Sequence, residues 1–440
     1  MSHFLPHRAS SKEGDAMNRS FVYRATTGAV SFAAALLMLA AGTGVASAAL
    51  PLPAVPVLPK PPLSDDAFYV PPSPLPNGRP GDVLRTRDLL LSAYPDAHVQ
   101  QIMYLSTDPH NKLVPVTGML LTPLFQKPGT DNPVVVGTPG TRGLDDRCAP
   151  SKQANPLQAN PSSPDYEITE YQQFLINGIS VVITDYEGQG TPGDSSYLVG
   201  PSEGRNALDA LRASQYVNGS GLSTNSPSGI AGYSQGGQAA AWAAELQPTY
   251  APELHLRGVL AGGVPADMLM EVNHLNGNPT AGAGFALASL VGLNHANPEL
   301  DLNSKLTPQG RQIIDHVKQS CIIEDFATFG TTSIGQVTHP DVLSDPAWQK
   351  AYQASLLGTT KPAAPAYLYH GTADTIVPIA EEDMLYHSWC AQGASVQYEV
   401  IPGAEHISAF LIGAPAGIQW LADRLAGEPA DAGCHDVSIP

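Results

Sequence analysis

Positive charge is what this sequence has least of. Lysine and arginine together number 22 against 40 aspartates and glutamates, a formal net charge of −18. That balance weighs against nucleic acid as a partner, and against adhesion to anionic membranes by charge alone. Charges of either sign make up 14% of the chain while 43% of residues are hydrophobic, so a disordered protein is excluded. A chain of 440 residues can bury a sizeable core, as one large domain or two small ones. Cysteine is sparse, and no two of the four cysteines sit within the two- to four-residue spacing that zinc sites use, so no metal site is expected. There is no internal repeat. No apolar run reaches the roughly 20 residues of a membrane span, so no transmembrane anchor is expected.

One shorter apolar run is informative. Val30 to Leu39, interrupted only by Ser31, follows Arg19 and Arg24 and precedes Ala46-Ser47-Ala48. A basic start, a short apolar stretch and small residues make up a secretory signal peptide. Residues 1–48 are therefore expected to be removed on export, with Met17 a second candidate start and a non-cleaved anchor the competing reading. Removal would take away four basic residues (Arg8, Lys12, Arg19, Arg24) and two acidic ones (Glu13, Asp15), leaving an extracellular chain more acidic still. Cys148, Cys321, Cys390 and Cys434 all lie beyond the cleavage site. In an exported chain an even number of cysteines reads as disulfides.

Residues 49–83 are rich in proline (Pro51, Pro53, Pro56, Pro59, Pro61, Pro62) and read as an extended arm. Strands and helices alternate beyond it. Ile102, Tyr104 and Ser106 alternate with Met103 and Leu105, and Val114 to Leu121 forms a second strand. Val134-Val135-Val136 and Val181-Val182-Ile183 suit strands buried on both faces. Further strands are expected at Gly229–Gly232, Val259–Ala261, Ala366–Tyr369 and Val396–Val400. Ala207, Leu208 and Leu211 share a helical face, as do Ile418, Leu421, Ala422 and Leu425. The pattern is that of an α/β fold with a mostly parallel sheet covered by helices on both faces. From about 264 to 365 no core strand is expected. A loop of that length is improbable in a compact domain, so this stretch reads as an inserted helical subdomain and a candidate lid. Its apolar segment Gly282 to Leu293 suits an acyl-binding wall and ordinary core packing equally well.

The chemistry centres on Gly232-Tyr233-Ser234-Gln235-Gly236, the G-x-S-x-G pattern of a nucleophile elbow. The turn from strand to helix is too tight for side chains on either flank, and it lifts the serine hydroxyl above the sheet. The pattern alone is weak, but Ile230-Ala231 precedes it as strand and the alanine-rich Gln238 to Leu246 follows as helix. A serine needs a base, and the base an orienting carboxylate, in the order serine, acid, histidine. Asp374 follows the strand at Ala366–Tyr369, and His406 follows the strand at Val396–Val400. Ser234, Asp374 and His406 are the candidate triad. His370 reads as a structural histidine, Glu405 as a surface charge, and Asp185 as a turn residue or part of the site floor. The backbone N–H of Gln235 is one expected oxyanion donor; the glycine-rich loop 137–143 is expected to supply the other.

These residues carry a resemblance that runs from about Pro80 to the C-terminus. Cys148-Ala149-Pro150-Ser151, Asp185-Tyr186-Glu187-Gly188, Gly232 to Gly237, Tyr250-Ala251-Pro252-Glu253-Leu254, Gly284-Phe285-Ala286-Leu287-Ala288 and Ala404-Glu405-His406 resemble the secretory lipase family of yeasts and actinobacteria. The resemblance implies an α/β-hydrolase fold with a helical lid insert, Ser234, Asp374 and His406 as the triad, and the pairings Cys148–Cys321 and Cys390–Cys434. The family carries an acidic oxyanion-hole residue six positions before the first of those cysteines. Here that position is Arg142, whose backbone N–H can still donate and whose guanidinium could meet an anionic substrate group. The resulting expectation is a secreted serine carboxylic-ester hydrolase, foremost a triacylglycerol lipase, with an acyl-serine intermediate and no cofactor. Its partner would be a small-molecule or lipid ester, met at a lipid–water interface in the case of a triacylglycerol. A short-chain, sterol or natural-product esterase, an acyltransferase and a non-catalytic binder are the alternatives.

Overall fold

Alternation along the short β-branched runs decides the architecture. Strands β1 (Val83–Leu89), β2 (Ala97–Thr107), β3 (Leu113–Pro123), β4 (Val134–Thr138), β5 (Ser180–Thr184), β6 (Ser228–Tyr233), β7 (Leu256–Gly262), β8 (Ala366–Gly371), β9 (Val396–Ile401) and β10 (Cys434–Ser438) form one sheet. Their order is β1-β2-β3-β5-β4-β6-β7-β8-β9-β10. β1, β2, β3 and β5 pair antiparallel, and every pairing from β5 through β10 is parallel. The computed structural model describes residues 66–438 except 130 and 281. The expected signal peptide and residues 49–65 of the proline-rich arm lie outside these residues.

Successive side chains of each inner strand serve opposite cores, as the period of a strand requires. Val134, Val136, Val182, Ile230, Val259, Ala261 and Leu368 face one core. Val135, Val181, Ile183, Ala231, Leu260, Tyr367 and Tyr369 face the other. The first is covered by α2 (Gly200–Ser214) and α3 (Gln235–Tyr250), through Ala207, Leu208, Leu211 and Trp242. The second is covered by α1 (Ile168–Ile176) and the C-terminal helix His406–Leu425, through Phe174, Phe410, Ile418 and Leu421. Each fully buried Val, Leu or Ile is worth about 1.5–3 kcal/mol against exposure, so both faces must be covered for the sheet to be stable.

Between β7 and β8 the described chain adds no strand to the sheet. It runs through α4 (Met268–Leu275), α5 (Ala283–Ala296), α6 (Pro308–Val317), α7 (Ile322–Phe329) and α8 (Pro346–Gln353). After β8 come α9 (Ile379–Ala391) and α10 (His406–Leu425). Helices α4–α8 enclose a third core with Met268, Val272, Leu290, Ile314, Phe329 and Trp348. Phe285, Leu287, Leu290 and Val291 of α5 are all buried in it, so the apolar segment Gly282–Leu293 packs as core. A helix buried on every side has no polar face to show.

Two strands were not anticipated. β1 is an outer strand whose exposed positions include Thr86 and Asp88, and its pattern is too polar to announce itself. β10 is joined to α9 by the Cys390–Cys434 disulfide, and the other disulfide is Cys148–Cys321. Cys434 pairs with Val396, at the end of β9 remote from His406. The 44-residue separation gives the second disulfide a stabilisation of up to about 4 kcal/mol. Replacing Cys390 and Cys434 with serine is therefore expected to lower the midpoint of chemical denaturation while activity per folded molecule is retained. Loss of activity in the still-folded variant would show that β10 supports the site as well as the fold.

Candidate active site

The strand order reverses at β4: the chain leaves it for β5 on one side and later returns as β6 on the other. Crevices at the carboxyl ends of strands form at such a switch point. The loop 137–143 leaves β4 there, beside Ser234 at the end of β6. Ser234 has φ 59° and ψ −125°, a left-handed conformation rare for a side-chain-bearing residue. Such a residue costs about 1–3 kcal/mol and persists only where its surroundings enforce it. Its N–H donates to the Gly262 carbonyl of β7 at 2.9 Å, and its carbonyl accepts from Gln238 N–H at 3.0 Å. The Thr138 hydroxyl bridges the carbonyls of Ala231 and Gly236 at 2.9 and 2.8 Å. A Cβ on Gly232 would meet the Thr138 hydroxyl and the Gly236 carbonyl; one on Gly236 would meet the Thr138 carbonyl. The flanking glycines are therefore steric requirements.

Asp374 comes from the loop after β8, and His406 opens α10 just beyond β9, the neighbouring strand. Asp374 Oδ2 lies 2.6 Å from His406 Nδ1, and Asp374 Oδ1 accepts the N–H groups of Ile376 and Val377 at 2.9 and 3.0 Å. Burial opposes the charge of Asp374, but the imidazoles of His406 and His370 hold its carboxyl well below the usual carboxylate range. With Nδ1 committed to Asp374, Nε2 is the ring nitrogen left to exchange a proton. The Tyr233 hydroxyl donates to the His406 carbonyl at 2.6 Å, and the two rings lie 5.0 Å apart. The residue before the serine thus tethers the residue that would serve it.

Loop 137–143 is held from several sides. Tyr186 donates its hydroxyl to the Pro139 carbonyl at 2.9 Å, and Thr141 shares a 2.9 Å hydrogen bond with Tyr197. Gly140 N–H donates to Glu167 Oε1 at 2.8 Å, which removes it as an oxyanion donor. The Arg142 side chain is 1% exposed. Its guanidinium donates to Glu167, Asp165 and the Pro164 carbonyl and lies over the Tyr166 ring. Burial would lower its pKa, yet the charge of Glu167 raises it. The guanidinium considered above for an anionic substrate group is thus already spent on a buried ion pair.

Other expectations resolve as follows. Asp185 is buried and accepts from Ser151 N–H, Ser151 hydroxyl and Thr117 hydroxyl at 2.8, 2.5 and 2.7 Å; it ties the end of β5 to the middle of β3 and to the short helix Pro150–Gln153. Glu405 is exposed and caps α10. Three supports escaped the sequence reading: Glu167, Glu203 and Glu382. Glu203 accepts from Gln235 Nε2 at 2.7 Å, and burial pushes its carboxyl up to about 8. A signal for it existed, since Glu203 stands four residues before Ala207 on the buried helical face.

A strained serine between strand and helix, followed along the sheet by an aspartate–histidine pair on strand-end loops, defines the class: this is an α/β-hydrolase. The family model for Secretory lipase matches residues 154–433, and the chain belongs to that family. It is 28% identical to the secreted triacylglycerol lipase LIP4 of Malassezia globosa, over 84% of this chain and 83% of the relative. It is 29% identical to a Mycobacterium tuberculosis protein named "Probable inactive lipase", covering 83% of each. The X-ray structure of Candida antarctica lipase A in its closed state superimposes with a TM-score of 0.75 at 26% identity, covering 84% of this chain and 88% of that one.

Arg142→Ala leaves the Glu167 carboxylate buried without its partner, a change that costs about 3–5 kcal/mol. Denaturant titration is expected to register a loss of that size, with acyl and alcohol preference unchanged among the molecules that remain folded. A variant as stable as wild type, with altered substrate preference, would return the guanidinium to the substrate.

Proposed function

We propose that this protein is a secreted carboxylic-ester hydrolase acting on triacylglycerols through an acyl-serine intermediate. The 2.6 Å contact between Asp374 and His406, set beside a serine in an enforced left-handed turn, is the observation that carries the reading. Ser234 Oγ attacks the ester carbonyl while His406 Nε2 takes its proton. Asp374 holds the ring in the required tautomer and stabilises the imidazolium. The tetrahedral oxyanion accepts from Gln235 N–H and from the tip of loop 137–143. There Pro139 has no N–H and that of Gly140 is committed to Glu167, so the Arg142 N–H and that of its neighbour Thr141 are the candidates. Collapse expels the alcohol, protonated by His406, and a water activated by the same ring then releases the acid. The balance requires only ester, water and groups of this chain.

Residues 1–48 are read as a signal peptide, 49–83 as an arm, and 84–440 as the hydrolase domain with its lid at about 264–365. Names of relatives support export and triacylglycerol as substrate. Among the described residues no helix is long and apolar enough to cross a membrane. The name of the Mycobacterium relative supports a second reading, a lipid-ester binder without turnover.

Hydrolysis of p-nitrophenyl esters from acetyl to palmitoyl, with emulsified triacylglycerol alongside, separates these readings. Activity on medium and long chains and on triacylglycerol is expected, falling by at least about 10³-fold in Ser234→Ala. Activity confined to short acyl chains would make the protein a soluble esterase with the same mechanism. No turnover and no phosphonate labelling of Ser234 would favour the binder.

A further inference from the structure

Behind the triad acid stands a second histidine–carboxylate pair that the proposed reaction does not use. His370, at the end of β8, and Glu382, in the first turn of α9, both have side chains with 0% exposure. His370 Nδ1 lies 2.6 Å from Glu382 Oε2. Its Nε2 lies 3.0 Å from the Val377 carbonyl and 3.3 Å from Asp374 Oδ2, the same oxygen that meets His406. The contacts therefore run His406, Asp374, His370, Glu382 without a break.

The protons on this chain can be placed by what each atom can accept. A carbonyl oxygen only accepts, so Nε2 carries a hydrogen towards Val377 and Asp374. Nδ1 then either donates to Glu382 or accepts from a protonated Glu382. Glu382 Oε2 already accepts Val264 N–H at 3.1 Å, which suits a carboxylate. Burial lowers the basicity of the imidazole, but hydrogen bonds to Asp374 and Glu382 outweigh it and raise its pKa to about 10. Other ionisable groups surround the pair. Glu381 of α9 faces Glu271 of α4 and accepts the N–H of Asp267 at 2.9 Å, and burial pushes Glu381 up to about 8. Tyr233 and His406 lie on the other side of Asp374. Among the described residues no group of three His, Cys, Asp or Glu side chains is arranged to hold a metal ion.

We infer that His370, clamped by Glu382, is a cationic positioning residue that orients Asp374 and offsets part of its charge, and so sets where the acid limb of the proposed reaction lies. This rests on the triad reading above. A cation at Asp374 offsets the negative charge that an imidazolium at the proposed base would meet, which places the acid limb of the reaction at lower pH. Without that cation the full charge of Asp374 would face the ring, and the limb would lie at higher pH. The pair would thus extend activity towards acid.

The test compares wild type and His370→Gln, which keeps a polar group and loses the charge. The rate of Ser234 labelling by a p-nitrophenyl phosphonate is followed from about pH 4 to about pH 9, with near-ultraviolet circular dichroism as the check on folding. The acid limb is expected to move up by about one pH unit in the variant, a roughly tenfold slower reaction at a fixed pH within the limb. A folded variant with an unmoved limb overturns the inference, even if its plateau falls. Should His370→Gln not fold, the wild type answers alone. Ring ¹⁵N and ¹H resonances of histidine-labelled protein are expected to show one solvent-shielded imidazole protonated on both nitrogens at about pH 8, and no such ring at that pH overturns the inference. Labelling that survives in Ser234→Ala would instead fault the nucleophile assignment, a result distinct from either.

Discussion

The backbone of Ser234 is the constraint on which the surrounding structure depends. A left-handed serine is not a conformation the chain adopts by itself, so neighbouring elements must enforce it. β7 accepts its N–H, α3 returns a hydrogen bond to its carbonyl, and the Thr138 hydroxyl at the end of β4 ties both sides of the turn. Two of these groups lie on β4 and β7, the strands that flank β6 in the sheet, and the third on the helix that follows it. The register of three parallel strands is thus what the turn is built on, and the two-faced apolar core sets that register. A one-residue slip would exchange the residues facing the two cores. Packing remote from the serine thereby fixes the serine.

Buried charge follows a second logic. Burial of a lone carboxylate is prohibitive unless it is paired, hydrogen-bonded or neutralised. The site carries several, and each supports a loop. Glu167 joins Arg142 to Gly140, Glu203 holds Gln235, and Asp185 gathers Ser151 and Thr117. None of the three belongs to the proposed triad. Their service is rigidity: loops at strand ends hold a catalytic geometry only when their polar backbone has nowhere else to go. Arg142 fits this logic, because the acid that meets it, Glu167, comes from another segment of the chain.

What was legible in the sequence was what local pattern encodes. Eight strands announced themselves through alternation or β-branched runs, and the order serine, acid, histidine was visible because each residue follows such a strand. The elbow glycines were visible because steric exclusion leaves no other residue. Hidden were features whose partners are distant. β1 mixes charges with apolar residues along the outside of the sheet, and β10 is held by a disulfide and by pairing that five polar-rich residues do not reveal. Glu382 stands only twelve residues from His370, yet helix α9 must turn back onto β8 before the two meet. The burial of Arg142 depended on Glu167, twenty-five residues on, and no pattern in loop 137–143 could disclose it.

The helices between β7 and β8 are not attached to the sheet by chain ends alone. Cys321 is bonded to Cys148, Ile322 N–H donates to the Arg142 carbonyl at 2.8 Å, and Leu144 and Asp145 N–H groups donate to the Ser320 carbonyl at 3.0 and 3.3 Å. Residues 320–322 are therefore built onto the loop that carries the candidate oxyanion donors. α4 is tied in its turn to α9, where Asp267 N–H meets Glu381. Swinging as one rigid body, the proposed lid would have to tear the loop 137–143 out of place at the moment substrate arrived. Opening that preserves the loop must leave residues 320–322 fixed and act through helices on either side of them. Fastened at this point, the proposed lid would couple access to the site with the shape of the site, since both would depend on the same three residues.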